Sequence, residues 1–327
     1  MKWFIGAGQL RKLGILGMNC RNIDVISRYN PRHLYPLVDD KLKTKNLAGR
    51  HGIPMPELLF FVKEQHRISD LGRLMNNIGG FVVKPAKGSG GKGILVIREC
   101  GPDNYIKSSG AKLSLGDIKR HVSNIMAGLY SLAGAPDVAI VEELVQFDDL
   151  FDGFSHEGVP DIRIIVFRGY PVMAMLRLAT RASDGKANLH QGAVGVGLDI
   201  GSGRPVNAVQ YSRHIECHPD TGRAFDSIRI PHWTEMLELA SRCYEITGLG
   251  YLGADIVLDK ERGPLLLELN ARPGLAIQIA NSNGLLHRIR FIENIMSDRD
   301  EKPLNRVHFA MEAFGEDPLY AERRACP

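Results

Sequence analysis

A run of glycines and lysines between two apolar segments constrains this chain most: Phe81-Val82-Val83-Lys84-Pro85-Ala86-Lys87-Gly88-Ser89-Gly90-Gly91-Lys92-Gly93-Ile94-Leu95-Val96-Ile97. Gly88 to Gly93 satisfy G-x-G-x-x-G. A dinucleotide fold requires a helix directly after such a loop, because the pyrophosphate sits on the helix N-terminus. Here Ile94-Leu95-Val96-Ile97 follows, and it is strand-like. A P-loop requires Gly-Lys-Ser/Thr, but Gly91-Lys92 is followed by Gly93. A glycine flap joining two antiparallel strands passes both tests; backbone N–H groups in such a flap approach phosphate oxygens with no Cβ in the way. Protein kinases carry a related flap, but neither H-R-D nor D-F-G occurs downstream. The alternative is a flexible hairpin with no ligand, and the crowding of Lys84, Lys87 and Lys92 argues against it. Lys84 follows three apolar residues and is expected to point inward, where a lysine needs an anionic partner.

A second pattern lies far along the chain. Asp255 sits in the apolar run Gly253-Ala254-Asp255-Ile256-Val257-Leu258, and Leu265-Leu266-Leu267-Glu268-Leu269-Asn270-Ala271-Arg272-Pro273-Gly274 follows. Glu268 and Asn270 are two apart, so on a strand they share a face. Paired with Asp255 across a ladder, they form a set of hard oxygen ligands of the kind magnesium takes, its shell completed by substrate phosphates and water. An acidic patch paired with lysines is the plainer alternative; it is the weaker one here, because charged groups inside Leu-rich strands seldom lie buried without purpose. Arg272 reads either as a surface arginine or as a clamp for a substrate carboxylate or phosphate. The two patterns together suggest an enzyme that consumes ATP.

The 327 residues allow two or three lobes, and 44% hydrophobic with 24% charged residues is ordinary for a globular protein. A net charge of +4 without any long Lys/Arg run does not imply nucleic-acid binding. Five scattered cysteines, with no C-x-x-C, argue for a reducing compartment, hence the cytoplasm, and against structural zinc. Trp3, Phe4 and Ile5 belong to an apolar run broken by Gln9, Arg11 and Lys12, too short for a secretory signal core. Packing accounts for them better than attachment to a membrane surface. No stretch approaches about 18 uninterrupted apolar residues, so no membrane span is expected.

Patterning predicts a helix starting at Asp39-Asp40 and ended by Gly52-Ile53-Pro54, with further helices over 68–77, 115–132, 231–247 and 285–296. Strands are expected over 58–62, 81–84, 94–97, 138–145, 252–258 and 265–269, and a hairpin over 162–167 and 172–178. Residues 182–204 read as a long glycine-rich loop, and the chain after about 298 as a polar tail.

Taken together, these residues resemble the ATP-grasp ligases, and within them the RimK-related, α-L-glutamate ligase-like proteins. The likeness runs from about Lys41 to Gly274. It implies an α+β ATP-grasp fold, two α+β lobes gripping ATP between them. The expected divisions are a reduced N-terminal segment (1–36), a lobe with flap and hinge (37–146), a lobe with the magnesium strands (147–298) and a C-terminal tail (299–327). Asp40-Lys41 with Lys45, then Gly52-Ile53-Pro54, resembles the family's opening element. The resemblance makes Lys41 and Lys84 nucleotide-binding lysines, with the flap residues Gly88, Ser89, Gly90, Gly91, Lys92 and Gly93 over the phosphates. Val141-Glu142-Glu143-Leu144-Val145 is similar to the hinge that holds adenine: main chain at Glu143 and Val145 reads the base edge, and Glu142 takes the exocyclic amine. Asp161-Ile162-Arg163 resembles the D-x-R element, and Asn188-Leu189-His190-Gln191-Gly192 the N-L-x-x-G loop. Asp255, Glu268 and Asn270 match the metal ligands, with magnesium expected and manganese an accepted substitute.

The family's reaction is then implied: a carboxylate attacks the γ-phosphate of ATP, and an amine attacks the resulting acyl phosphate to give an amide or peptide bond. Arg163, Arg177 and Arg272 are the residues expected to steady the carboxylate and the transferring phosphoryl group; His190 reads more simply as a solvated loop histidine. About 40 residues precede Lys41, where many of these ligases carry a whole α/β domain that helps bind the acceptor. The acceptor site is therefore reduced, rebuilt from residues 1–36, or completed by a protein partner. Small-molecule or peptide carboxylate and amine substrates are expected. The alternatives are an ATP-grasp enzyme that phosphorylates a small or sugar-linked molecule without ligation, and a non-catalytic nucleotide-binding partner protein.

Overall fold

Alternation of apolar and polar residues builds the middle of the chain, Asp39–Gln146, into an antiparallel sheet with its own core. The computed structural model describes residues 6–76, 78–88, 90–101, 104–131, 134–155, 158–295 and 302–315. Strands β1 (Leu58–Val62), β2 (Phe81–Pro85), β3 (Leu95–Cys100), β4 (Tyr105–Lys107), β5 (Lys112–Leu113) and β6 (Ala139–Glu143) are ordered β1-β6-β2-β3-β4-β5. Phe81 and Val83 of β2 point to one face with Ile97 and Val141. There they meet Ile118, Val122 and Ile125 of the helix Leu115–Met126, all fully buried in one cluster. Those helix positions recur every three to four residues, which gives the helix its buried stripe. A Ser114–Asp117 capping box starts this helix. It stops at Met126, short of the expected 132, because the chain turns at Gly128 in a left-handed conformation (φ +84°). The helix expected over 68–77 is a 3-10 turn (Gln65–Asp70) followed by one α-turn, Leu71–Leu74.

The chain before this middle part, up to Val38, and the chain after it, from Phe147, form the second compact unit. Its strands are β7 (Asp161–Phe167), β8 (Tyr170–Leu178), β9 (Val194–Leu198), β10 (Pro205–Gln210), β11 (Arg213–His214), β12 (Tyr251–Asp259) and β13 (Gly263–Asn270). They are ordered β11-β10-β9-β8-β7-β12-β13, with each neighbouring pair antiparallel. Every residue of β12 is buried. The stretch 182–204, read as loop, contains β9. Its Gly195 and Gly197 leave no room for a side chain; a Cβ at Gly195 would sit 2.7 Å from Leu189 Cδ2, and one at Gly197 2.4 Å from the Ala280 carbonyl oxygen.

The expected polar tail also contains a helix, Pro303–Phe314, packed on the helix Trp233–Thr247 and on β8. Its Arg306 is buried, donating to the Ser241 hydroxyl at 3.3 Å and pairing with Glu245. The segment before Val38 is largely helical over 18–29, with a π-type stretch at Arg21–Ile26. It is tied to this unit by two buried amides. Gln278 bonds both the N–H and the carbonyl of Leu16 (2.8 and 3.1 Å). Asn30 bonds the carbonyls of Tyr251 and Ala271 (2.6 and 2.9 Å) and accepts from the Tyr251 N–H (2.8 Å). Among the described residues, no helix is long and apolar enough to cross a membrane.

Candidate active site

In the middle unit, β2 and β3 bracket the glycine loop as an antiparallel pair, Val83 opposite Leu95. Gly90 and Gly91 have φ of +65° and +73° with open space where a Cβ would be, so the loop needs glycine for its backbone and presents main chain to solvent. Gly93 (φ +76°) is pressed by the Tyr130 ring, and its carbonyl accepts from His121 Nε2 at 2.9 Å. Gly88 takes the Lys41 ammonium on its carbonyl oxygen (2.8 Å), while the Lys41 N–H donates to Ala86 O. Asp40 caps the helix Lys41–Arg50 through the N–H groups of Leu42 and Lys43 and thereby fixes where Lys41 stands. Lys87 and Lys92 are exposed. Ser89 lies outside the described residues.

Lys84 is buried, as its apolar approach implied, but on the face of β2 opposite Phe81 and Val83. Its anionic partner is Glu142 of β6, which pairs with Lys84 and, at 3.2 Å, with Lys45. All three side chains are over nine-tenths buried. One carboxylate between two ammonium groups leaves one positive charge in excess, and burial lowers the Lys45 pKa while Glu142 offsets part of the effect. Sequence reasoning singled out Lys84 and Glu142 but gave Lys45 no role of its own. The available signal was its place four residues after Lys41, on the same helix face. Glu143, assigned to the base edge, is pinned to Glu57: its N–H donates to Glu57 O (3.1 Å), and its carboxylate accepts the Glu57 N–H (2.5 Å). Val145 is buried just beyond β6.

In the other unit, strand register gathers the distant acidic and basic residues. Asp255 of β12 is opposite Arg163 of β7 on one side and Glu268 of β13 on the other; Asp161 of β7 is opposite Arg177 of β8, and Asn270 opposite Gly253. Period two then puts Arg177, Asp161, Arg163, Asp255, Glu268 and Asn270 on one face. Arg163 grips Asp255 with two bonds (Nε to Oδ1 2.7 Å, Nη2 to Oδ2 2.6 Å). Arg177 bridges Asp161 (2.6 Å) and Asp255 (2.7 Å). Asn270 Nδ2 is 3.5 Å from Asp255 Oδ2. All four charged partners of this network are largely buried.

The two carboxyls of the network behave differently. Burial works against the charge of Asp255, but Arg163 and Arg177 outweigh it and hold this carboxyl below the usual range. Asp161 is gripped by Arg177. Burial, reinforced by the negative charge of Asp255, pushes it up to about 6. A carboxyl that binds its proton more tightly when folded stabilises the fold at low pH; this contribution is complete below 3.8 and is lost as pH rises through about 6. The melting temperature of the parent relative to Asp161→Asn should therefore fall across that window. A difference that rises with pH instead would show Asp161 to be a fully paired, depressed carboxyl.

Asp255, Glu268 and Asn270 offer two carboxylates and one amide on adjacent register positions, hard oxygen chemistry that suits magnesium. Oδ1 of Asp255 takes one guanidinium bond and keeps a lone pair, and a flip of the Asn270 amide exchanges its nitrogen for its oxygen. Among the described residues no three His, Cys, Asp or Glu side chains converge, so the set reaches three donors only through Asn270. Arg272 is exposed, with its guanidinium 5.2 Å from the Tyr35 ring centroid. Asn188 caps its own turn, accepting from the His190 N–H at 3.0 Å, and His190 is exposed. Arg163 and Arg177, expected as substrate-facing arginines, are held by Asp255 and Asp161.

The family model described as sugar-transfer associated ATP-grasp matches residues 20–294. The "probable alpha-L-glutamate ligase" of Aeromonas salmonicida (strain A449) is 24% identical over 307 residues, covering 92% of this chain and 76% of that protein. The protein of the same name from Thioalkalivibrio sulfidiphilus (strain HL-EbGR7) is 26% identical over 297 residues, covering 89% and 72%. Among solved structures, D-cycloserine synthetase DcsG superposes with a TM-score of 0.47 at 16% identity, covering 85% of this chain and 73% of that one. The ATP-grasp ligase PsnB complexed with minimal precursor gives 0.42 at 14% identity; the match covers 86% of this chain but only 63% of PsnB.

Proposed function

The chain belongs to the sugar-transfer associated ATP-grasp family, and from that premise we propose that it is an ATP-dependent carboxylate–amine ligase. The observation that carries the reading is the charged face of the β7–β8–β12–β13 sheet, where Asp255, Glu268 and Asn270 converge beside two guanidiniums. The names of the glutamate ligase-like relatives support the same reaction class.

On this reading the flap amides between Gly88 and Gly93, with Lys41 and Lys84, bind and orient the phosphates. The Glu142–Val145 stretch receives the base, with the Glu143 N–H already spent on Glu57. Asp255, Glu268 and Asn270 hold magnesium, which when bound neutralises charge on the transferring phosphate. Arg163 and Arg177 keep the Asp255 carboxylate oriented, and Asp161 orients Arg177. With Arg272 they present positive charge to the substrate carboxylate and the transferring group. The acceptor carboxylate oxygen bonds the γ-phosphorus as the bond to ADP breaks. The amine nitrogen then bonds the acyl carbon, phosphate leaves, and the nitrogen gives up a proton. Asn188 shapes the loop near the acceptor. A cytoplasmic setting fits the unpaired thiols of Cys20, Cys100, Cys217 and Cys243.

The family description favours one second reading, phosphorylation of a sugar-linked substrate without ligation. The two readings separate on their products. With ATP, magnesium, hydroxylamine and a panel of carboxylates, the ligase reading expects hydroxamate and ADP, whereas a stable phosphorylated product would reject it. Glu268→Ala should lower magnesium-dependent ADP release by about 10²–10³-fold, the range for loss of one electrostatic stabiliser. Unchanged release in that variant would remove Glu268 from the metal set.

A further inference from the structure

We infer that the segment before Val38 and the turn after β13 together build the site for the carboxylate-bearing acceptor, with Arg21, Arg272 and the Tyr251 hydroxyl as its anion contacts; this rests on the ligase reading above. The segment is fixed to the strand that carries Asp255. Asn30 clamps the backbone of Tyr251, the first residue of β12, to Ala271 in the turn. The N–H of Gly250 donates to Tyr29 O at 2.9 Å. Arg21 Nη1 donates to Pro273 O at 3.0 Å, and Arg272 stands over Tyr35. Pro273 in turn lies over Gly253, where a Cβ would come 2.9 Å from the proline Cβ. Tyr251, Gly253 and Asp255 alternate onto one face of β12. The 271–274 turn therefore covers the ground between the candidate metal ligand and Tyr251.

The phenol of Tyr251 is the independent sign of a ligand. The residue is wholly buried, yet its hydroxyl has no hydrogen-bond partner among the described residues. Buried hydroxyls are nearly always satisfied, and an orphan one calls for an explanation. Two positive groups act on it, Arg21 and Arg163, one from the segment and one from the charged face. Arg21 is half-buried and uses three of its five donors on Asn22 and Pro273. Arg272 is exposed. The Arg21 guanidinium, whose charge acts on the phenol, and the phenol O–H at the floor make an oxyanion receptor, with Arg272 on the exposed side of the same turn. A carboxylate is the oxyanion that the proposed chemistry requires on the acceptor.

The test is thermal melting of the full chain with glutarate, with inorganic phosphate, and separately with ATP and magnesium. For the parent, saturable stabilisation by glutarate is expected. In Arg21→Gln and Tyr251→Phe the half-saturating glutarate concentration should rise about 10-fold, while the shift with ATP and magnesium is retained. Tyr251→Phe without ligand should melt no lower than the parent, since the hydroxyl it removes bonds nothing. Equal glutarate responses in parent and variants would overturn the inference, as would a Tyr251→Phe protein that melts well below the parent. A response to phosphate but not to glutarate would overturn the carboxylate assignment. A parent indifferent to ATP and magnesium would instead bring down the ligase reading, and this site with it.

Discussion

Asp255→Ala should lose about 3–5 kcal/mol of unfolding free energy, the cost of stripping one partner from a buried ion network. Arg163 and Arg177 together make three bonds to this carboxylate. Without it, Arg163 loses the carboxylate it grips and Arg177 keeps Asp161. The network changes from two positive and two negative charges to an uncompensated positive charge beside β12, a strand buried throughout. Urea unfolding of parent and variant measures the loss, and a value below about 1 kcal/mol would mean that water reaches the two arginines. Asp255→Asn, which keeps the volume and one acceptor, should fall between parent and alanine. Both variants should also lack magnesium-dependent ADP release under the ligase reading, even at temperatures where they remain folded.

Glu142→Ala should be of similar size, about 3–5 kcal/mol, and confined to the middle unit. Its two oxygens hold Lys45 and Lys84, and the triad already carries one surplus positive charge. Removing the carboxylate leaves two buried ammonium groups. Burial already pulls the Lys45 pKa down, and without Glu142 it should fall further. A lysine that binds its proton less tightly when folded makes the fold more stable as pH rises, up to its unfolded value of 10.5. The variant should therefore recover stability between neutral and alkaline pH more steeply than the parent, whose Lys45 is lowered less. Calorimetry across that range checks both size and sign, and a variant whose melting temperature is flat or falls with pH would contradict the charge assignment. Because Asp255 and Glu142 belong to different units with separate cores, the double variant should show additive losses.

Local chemistry made much of this fold legible. The β-branched run on either side of Gly88–Gly93 pointed to a hairpin flap, and β2 and β3 form one. The alternation around Glu268 and Asn270 placed both on one face, and the β12–β13 register sets Asp255 directly opposite Glu268. Pairing across long separations was not legible. That Asp255 would be gripped by Arg163, 92 residues earlier in the chain, depends on β7 lying beside β12. Strand β9 was hidden because Gly195 and Gly197 look like loop residues until Leu189 and Ala280 are seen lying on them. The helix Pro303–Phe314 did leave a trace: Pro303 at its first turn, then Val307, Ala310, Met311 and Phe314 on one buried stripe. The polarity of the neighbouring sequence masked it. In the hinge, the binding of Glu143 to Glu57 was not legible, because it depends on β1 pairing with β6.

The middle unit is one uninterrupted stretch, whereas its companion is assembled from chain on both sides of it. During synthesis the two therefore face different timetables. Residues 39–146 can close their core as soon as they clear the ribosome. Asn30 and Leu16, made before them, must wait for Tyr251, Ala271 and Gln278, more than two hundred residues later. Over that interval the opening segment has no native docking surface, and a chain stalled before β12 would expose it to proteases and chaperones.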